Sequence, residues 1–109
     1  MITVNKPYIT KSGSRSRCNC DISVDGENRT VWFEVDKEYE QYLVTERADA
    51  YVVGLLHWCM LHGHDIKCLA PVTDELLYNI TTILIPSLAK YAKDLNAVKI
   101  EAETAPALP

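Results

Sequence analysis

Two hydrophobic periods divide this chain. From Arg17 to Val24, side chains alternate: Cys18, Cys20, Ile22 and Val24 point one way, and Arg17, Asn19, Asp21 and Ser23 the other. Period two with one apolar face predicts a half-buried antiparallel strand. Asp25-Gly26 follows as a tight reversal, and Thr30 to Val35 returns with Val31, Phe33 and Val35 on one face and Trp32 and Glu34 on the other. A hairpin is therefore expected. Before it, residues 2–5 read as a short strand that Tyr8 and Ile9 continue at an edge beyond Pro7, and residues 11–16 read as a polar turn.

After the hairpin the period changes. Tyr39, Tyr42 and Leu43 stand at helical spacing in the charged stretch 36–49, enough for one or two turns. Residues 50–61 are apolar almost all the way round, with His57 the one strongly polar interruption. Such a helix must be covered on several sides, so the expectation is that it is sealed between the sheet and a companion helix. Thr45 is placed to cap its start, Glu46 and Asp49 suit the positive end of its dipole, and Gly63 is a left-handed stop.

A short strand, 66–70, comes next. Thr73 then caps a helix whose apolar stripe is Leu76, Leu77, Ile80, Ile83, Leu84 and Leu88. Pro86 lies inside that stripe and predicts a kink or a restart. Lys90 and Lys93 suit the C-terminal end of this helix, and Asn96 is placed to close it. Residues 98–102 are expected to form a last strand, parallel to 66–70 across a βαβ crossover. The fold class is thus α+β: a small mixed sheet, made of an N-terminal antiparallel hairpin and a C-terminal βαβ unit, with helices packed mainly on one face. One domain spans 1–104. The Pro/Ala-rich residues 105–109 are expected to leave the core as a tail or the start of a linker.

Composition narrows the function. With 48% hydrophobic residues among 109, a core forms without staples. A net charge of −4 without long charge runs argues against nucleic acid and acidic membrane surfaces, which need a basic face. The N-terminus has no signal-peptide pattern and no apolar run reaches the roughly 18 residues of a membrane span. The expected compartment is the cytoplasm, with four free thiols.

The candidate chemistry is sparse. His57, Cys59, His62, His64 and Cys68 are the sharpest metal-type constellation, to which Cys18 and Cys20 can be added, and His62, His64 and Cys68 could supply three ligands. No C-x-x-C pair is present, and the cysteines alternate into apolar positions, where thiols pack as small hydrophobes. Core or turn residues are the better reading, so no metal site is assigned. Cys59 and His62 are one helical turn apart, but apolar surroundings raise a thiol pKa, so no nucleophile is assigned either. The carboxylates between Glu34 and Asp49 read as a solvated face with local ion pairs, Arg47 pairing with Glu34 or Asp49. Gly13, Gly26, Gly54 and Gly63 form no phosphate loop. Trp32, Tyr39 and Tyr42 are the candidate interface: Trp32 lies opposite Val31 and Phe33, so another element has to cover it.

Three runs, VWFEVDKEYEQYLVTERADAYVVGLL, HGHDIKCLAPVTDELLYNITTILIPSLAKY and VKIEAET, resemble the N-terminal region of bacterial PP-loop ATP-pyrophosphatase-like proteins. These have the adenine-nucleotide α-hydrolase-like fold and are related to the queuosine-biosynthesis ExsB proteins. The resemblance runs from about Thr30 to Thr104. The family's Ser-Gly-Gly-x-Asp-Ser loop is not in these 109 residues, so no ATP-site residue carries over. The resemblance implies a non-catalytic accessory domain that packs against a following nucleotide-binding domain, with ATP a ligand of that domain and no cofactor here. The alternative is a self-sufficient protein-binding or dimerisation module, a homodimer among its forms, and the remaining one a small zinc or thiol protein.

Overall fold

A computed structural model describes residues 1–107, and Leu108 and Pro109 lie outside the described residues. The sheet is organised around β3 (Arg15–Val24), which pairs antiparallel with β4 (Glu27–Asp36) along its full length. The turn between them has φ 50° at Asp25 and 89° at Gly26. Two consecutive left-handed residues make the turn whose twist suits a hairpin, which is why Asp-Gly stands there. Along the other side of β3 lie β1 (Ile2–Val4) and β2 (Tyr8–Ser12), end to end. The break between them falls at Pro7, which has no N–H to donate. Its neighbours are satisfied locally: the backbone N–H and the side-chain amide of Asn5 both donate to the Asp21 carbonyl, at 3.0 and 2.9 Å. The polar stretch expected at 11–16 shrinks to a turn at Gly13 and Ser14, and the strands on either side lengthen to meet it.

The sheet continues in parallel from β1 to β5 (Ile66–Cys68) and on to β7 (Ile100–Glu101). The β5–β7 pairing is the one that the crossover predicts. Ile2, Val4, Cys18, Cys20, Ile22, Ile66 and Cys68 point to one face and are buried, whereas Lys67 and Glu101 face solvent on the other. Cross-strand partners share a face, so a single apolar layer floors the core. The fold is α+β, with a mixed sheet and its helices on one face, as the sequence predicts.

The central helix α1 runs Asp49–His62 and ends at Gly63, whose φ of 71° is the expected left-handed stop. Its start differs from expectation. Thr45 is not the cap; Ala48 holds that position. Contacts with a later segment decide this: the Ala48 N–H donates to the Pro71 carbonyl at 2.9 Å, and the Asp49 carboxylate accepts both the N–H and the hydroxyl of Thr73. Thr73 therefore stands before the next helix without capping it through its side chain.

That second helix is a composite: α2 (Asp74–Asn79), a π-helical turn at Ile80–Leu84, and α3 (Ile85–Tyr91). The restart expected near Pro86 takes this form. A π turn inserts a residue and shifts the helix phase. Ile83 and Leu84, expected in the apolar stripe, are consequently turned outward, and Ile85 takes the core position, 4% exposed. Thr81 and Thr82 donate their hydroxyls to the carbonyls of Leu77 and Tyr78, at 2.8 and 2.6 Å. Asn96 does not close this helix. Its backbone and side-chain N–H groups both donate to the Met60 carbonyl, at 2.8 and 3.1 Å, and so finish α1 instead.

The expected strands 66–70 and 98–102 are shorter than predicted, and each gives way to a second two-residue strand. These are β6 (Val72–Thr73) and β8 (Thr104–Ala105), which pair in parallel. Of the tail expected at 105–109, residues 105–106 stay on the body: Ala105 ends β8, and Arg47 donates to the Pro106 carbonyl at 2.9 Å, next to the Val72 N–H that donates to the Glu103 carbonyl at 2.9 Å.

Candidate functional site

The thiols and imidazoles do not assemble. Cys18, Cys20, Cys59 and Cys68 are all free and buried. Desolvation is the first cause of raised pKa values in three of them: Cys20 is pushed up to about 12, and Cys59 and Cys68 to about 11. Such thiols are protonated and poorly nucleophilic at neutral pH. Cys18 accepts a hydrogen bond from the Tyr51 hydroxyl at 3.1 Å. Burial and that contact raise the pKa of the tyrosine.

Cys59 points into the core, but His57 and His62 lie on the exposed side of α1, so no Cys–His pair forms. His62 and His64 meet around Trp58, with His64 stacked on the indole at 5.4 Å and the two imidazole centroids 6.4 Å apart. Cys68 is enclosed under the sheet beside Val4. Among the described residues no group of three or more His, Cys, Asp or Glu side chains is placed to hold a metal ion.

Four of the carboxylates between Glu34 and Asp49 are tied to neighbours, Asp49 to Thr73 as described above. Glu34 pairs with Arg17 at 3.2 Å and Arg15 at 3.7 Å, and Asp36 with Arg15 at 3.1 Å. The Ser16 hydroxyl donates to Glu40 and holds that carboxyl below its ordinary range. Arg47 pairs with neither Glu34 nor Asp49. Its guanidinium donates to the carbonyls of Glu46 and Pro106, because the returning tail reaches it first.

What the structure does assemble is an apolar surface along one side of the molecule. The helix α1 is not sealed. Tyr51, Val52, Leu56, Cys59 and Met60 fill the core, but Val53 is 56% exposed, Trp58 41% and Leu61 40%. The composite helix does not cover this side, so an apolar stripe faces outward.

Beside α1 lies β4, the last strand on that side. Among the described residues no strand pairs with its outer edge. A two-residue turn closes on a hydrogen-bonded pair, Val24 with Glu27, and such pairs recur at every second residue. The Lys37 N–H donating to the Ser14 carbonyl at 2.9 Å continues the same phase. The odd-numbered residues of β4 therefore spend their backbone groups on β3. Those of Asn28, Thr30, Trp32, Glu34 and Asp36 point to the open edge.

An exposed aromatic side chain stands on each face of this edge. Trp32, 51% exposed, carries the Arg17 guanidinium 3.7 Å from its ring centroid, and no helix covers it. Phe33 leans toward Tyr51 on the helix side, with 6.3 Å between centroids, and is still 41% exposed. Three open cavities follow one another between α1 and β4. One of 280 Å³ lies among Phe33, Tyr42, Leu43, Arg47 and Tyr51. The next, of 300 Å³, is walled by Val31, Phe33, Ala50, Gly54 and Leu55. The last, of 340 Å³, lies among Val24, Glu27, Arg29, Leu55 and Trp58.

Of the three residues singled out from the sequence, Trp32 and Tyr42 line these cavities, and Tyr39 stands behind Tyr42 at 6.5 Å between rings. The outer residues of α1, Val53 and Leu61 above all, were missed. The signal was in the helix itself: apolar residues all round are as consistent with a second partner as with complete burial. No helix among the described residues is long and apolar enough to cross a membrane. Comparison with protein-family models, curated proteins and solved structures gives no match.

Proposed function

We propose that this chain is a non-catalytic interaction domain that works in the cytoplasm. The observation that carries this reading is the unpartnered apolar surface on the helix side, Val53, Trp58 and Leu61 on α1 and Phe33 on β4, with Trp32 exposed on the opposite face of the same strand. Monomeric surfaces rarely gather large apolar side chains in one place unless something docks there. The buried, protonated thiols support the same reading, since they are poor nucleophiles at neutral pH. The resemblance of residues 30–104 to the N-terminal region of PP-loop ATP-pyrophosphatase-like proteins supplies a context. There the domain packs against a nucleotide-binding domain of the same polypeptide, which would hold ATP.

Two measurements test the proposal. Incubated with ATP, the chain is expected to release no AMP above the buffer background; turnover by the chain alone overturns the reading. The second concerns what the surface is for. A residue kept apolar for a partner contributes little to folding, so Val53→Ser is expected to change stability by less than about 1 kcal/mol, whereas Leu56→Ala in the core costs about 2–5 kcal/mol. Equal costs in urea denaturation would mean that the outer face serves the fold, and the proposal would fail.

A further inference from the structure

Resting on the interaction-domain reading above, we infer that the open edge of β4 binds a second copy of this chain, the two β4 strands pairing antiparallel about a two-fold axis at Trp32. The backbone restricts the choice. Paired residues in an antiparallel ladder both point toward each other or both away. Only Asn28, Thr30, Trp32, Glu34 and Asp36 present their backbone groups to the edge, so only even-numbered residues can face one another there. With the axis at Trp32, Asn28 meets Asp36, Thr30 meets Glu34 and Trp32 meets its own counterpart. All five outward residues are then paired, with up to about ten inter-strand hydrogen bonds.

The side chains agree with that register. On the helix face Val31 meets Phe33, Arg29 meets Val35, and Glu27 comes opposite Lys37, the first residue of the 3₁₀ turn that follows β4, an apolar and an opposite-charge match around one mixed pair. On the other face the amide of Asn28 meets the carboxylate of Asp36, and Thr30, whose hydroxyl donates to Asp21 of its own chain, stands opposite Glu34. The neighbouring registers are worse. An axis at Val31 sets Arg29 against Phe33 and also Glu27 against Val35, and leaves Asp36 unmatched. An axis at Phe33 sets Arg29 against Lys37 and Trp32 against Glu34.

A two-fold axis normal to the sheet keeps both helical layers on one side and brings the two copies of α1 next to each other. The side of α1 toward the edge carries Ala50 and Gly54, and a Cβ placed on Gly54 meets nothing within 4 Å. The near face of the helix is thus low enough for another helix to approach, flanked by Val53 and Trp58. The pairing also removes a hazard, because a ten-residue edge bearing Val-Trp-Phe otherwise invites uncontrolled association.

Sedimentation velocity on the full chain, from micromolar to hundreds of micromolar, is the first test; a concentration-dependent dimer is expected. Thr30→Pro removes one outward N–H and none used by β3, so it is expected to leave circular dichroism unchanged and to abolish the dimer. Glu27→Lys is expected to weaken the dimer on the order of tenfold, since both symmetry-related ion pairs reverse, and Glu27→Lys with Lys37→Glu to restore it. The charge pair decides the question if the proline variant does not fold. A chain that stays monomeric, a dimer untouched by Thr30→Pro, or a double swap that fails to restore association overturns the inference. A monomer without ATP turnover sinks the dimer and leaves the interaction-domain reading standing, while turnover strikes that reading whatever the oligomeric state.

Discussion

Burial decides what the reactive side chains of this protein can do. Cys20, Cys59 and Cys68 are the residue types that a thiol chemistry needs, but desolvation holds them protonated. The folded state keeps protons that the unfolded chain releases near the ordinary thiol value of 9. Their contribution to stability is therefore fully present below about pH 9, and is lost as pH rises through the folded values near 11–12. Urea midpoints are expected to fall between pH 9 and 11, and less steeply in Cys59→Ala than in the parent chain. In native protein at pH 7.5 these thiols are expected to react with a thiol-specific disulfide reagent far more slowly than in urea. The Asp25-Gly26 turn is a second residue-scale constraint. Gly26→Ala forces a side chain onto φ 89° and is expected to cost on the order of 1 kcal/mol in the same urea titration.

Among the elements, the composite helix is the instructive one. A plain 3.6-residue period through residues 76–88 assigns Ile83 and Leu84 to the core, and Pro86 gives the only hint that the period breaks. The π turn shifts the phase, burying Ile85 and exposing Leu84. Ile85→Ala is accordingly expected to destabilise by about 2–4 kcal/mol and Leu84→Ala by less than about 1 kcal/mol, read from thermal or urea unfolding. The reverse order would restore the uninterrupted helix. In α1 the difficulty was different. Apolar side chains all round the helix identify it as one that needs cover, but not which half the sheet takes. Val52 and Val53 are neighbours of the same type with opposite fates.

At the scale of the whole molecule, one side of the sheet ends in a strand that no other strand pairs with among the described residues, and the adjoining helix faces outward with valine, tryptophan and leucine. These two features are continuous across the cavities between α1 and β4, and they form the surface on which the proposed function rests. The tail works on the other parts of the chain: β8 on β6, with Arg47 holding Pro106, ties the start of α1 to residues 72–73 and 103–106. Arg47→Ala is expected to loosen this corner, raising amide exchange at Val72 and Thr73 more than in β3. Uniform exchange across both would mean that the tail contact carries no stability of its own.

Local chemistry alone was enough for the hairpin and its face, because strict alternation and an Asp-Gly turn allow one register. It was also enough for the end of α1, where Gly63 is the residue that a left-handed stop favours, and for the parallel pairing around the composite helix. Long-range contacts set the rest. Asp49 finding Thr73 moved the start of α1, Asn96 went to Met60 and not to its own helix, and the tail found a parallel partner in β6. None of these leaves a periodic trace, since each joins residues 24 to 36 positions apart through one or two polar groups. The same holds for the candidate surface: hydrophobicity is written in the residues, but exposure is settled only when the other elements have taken their places.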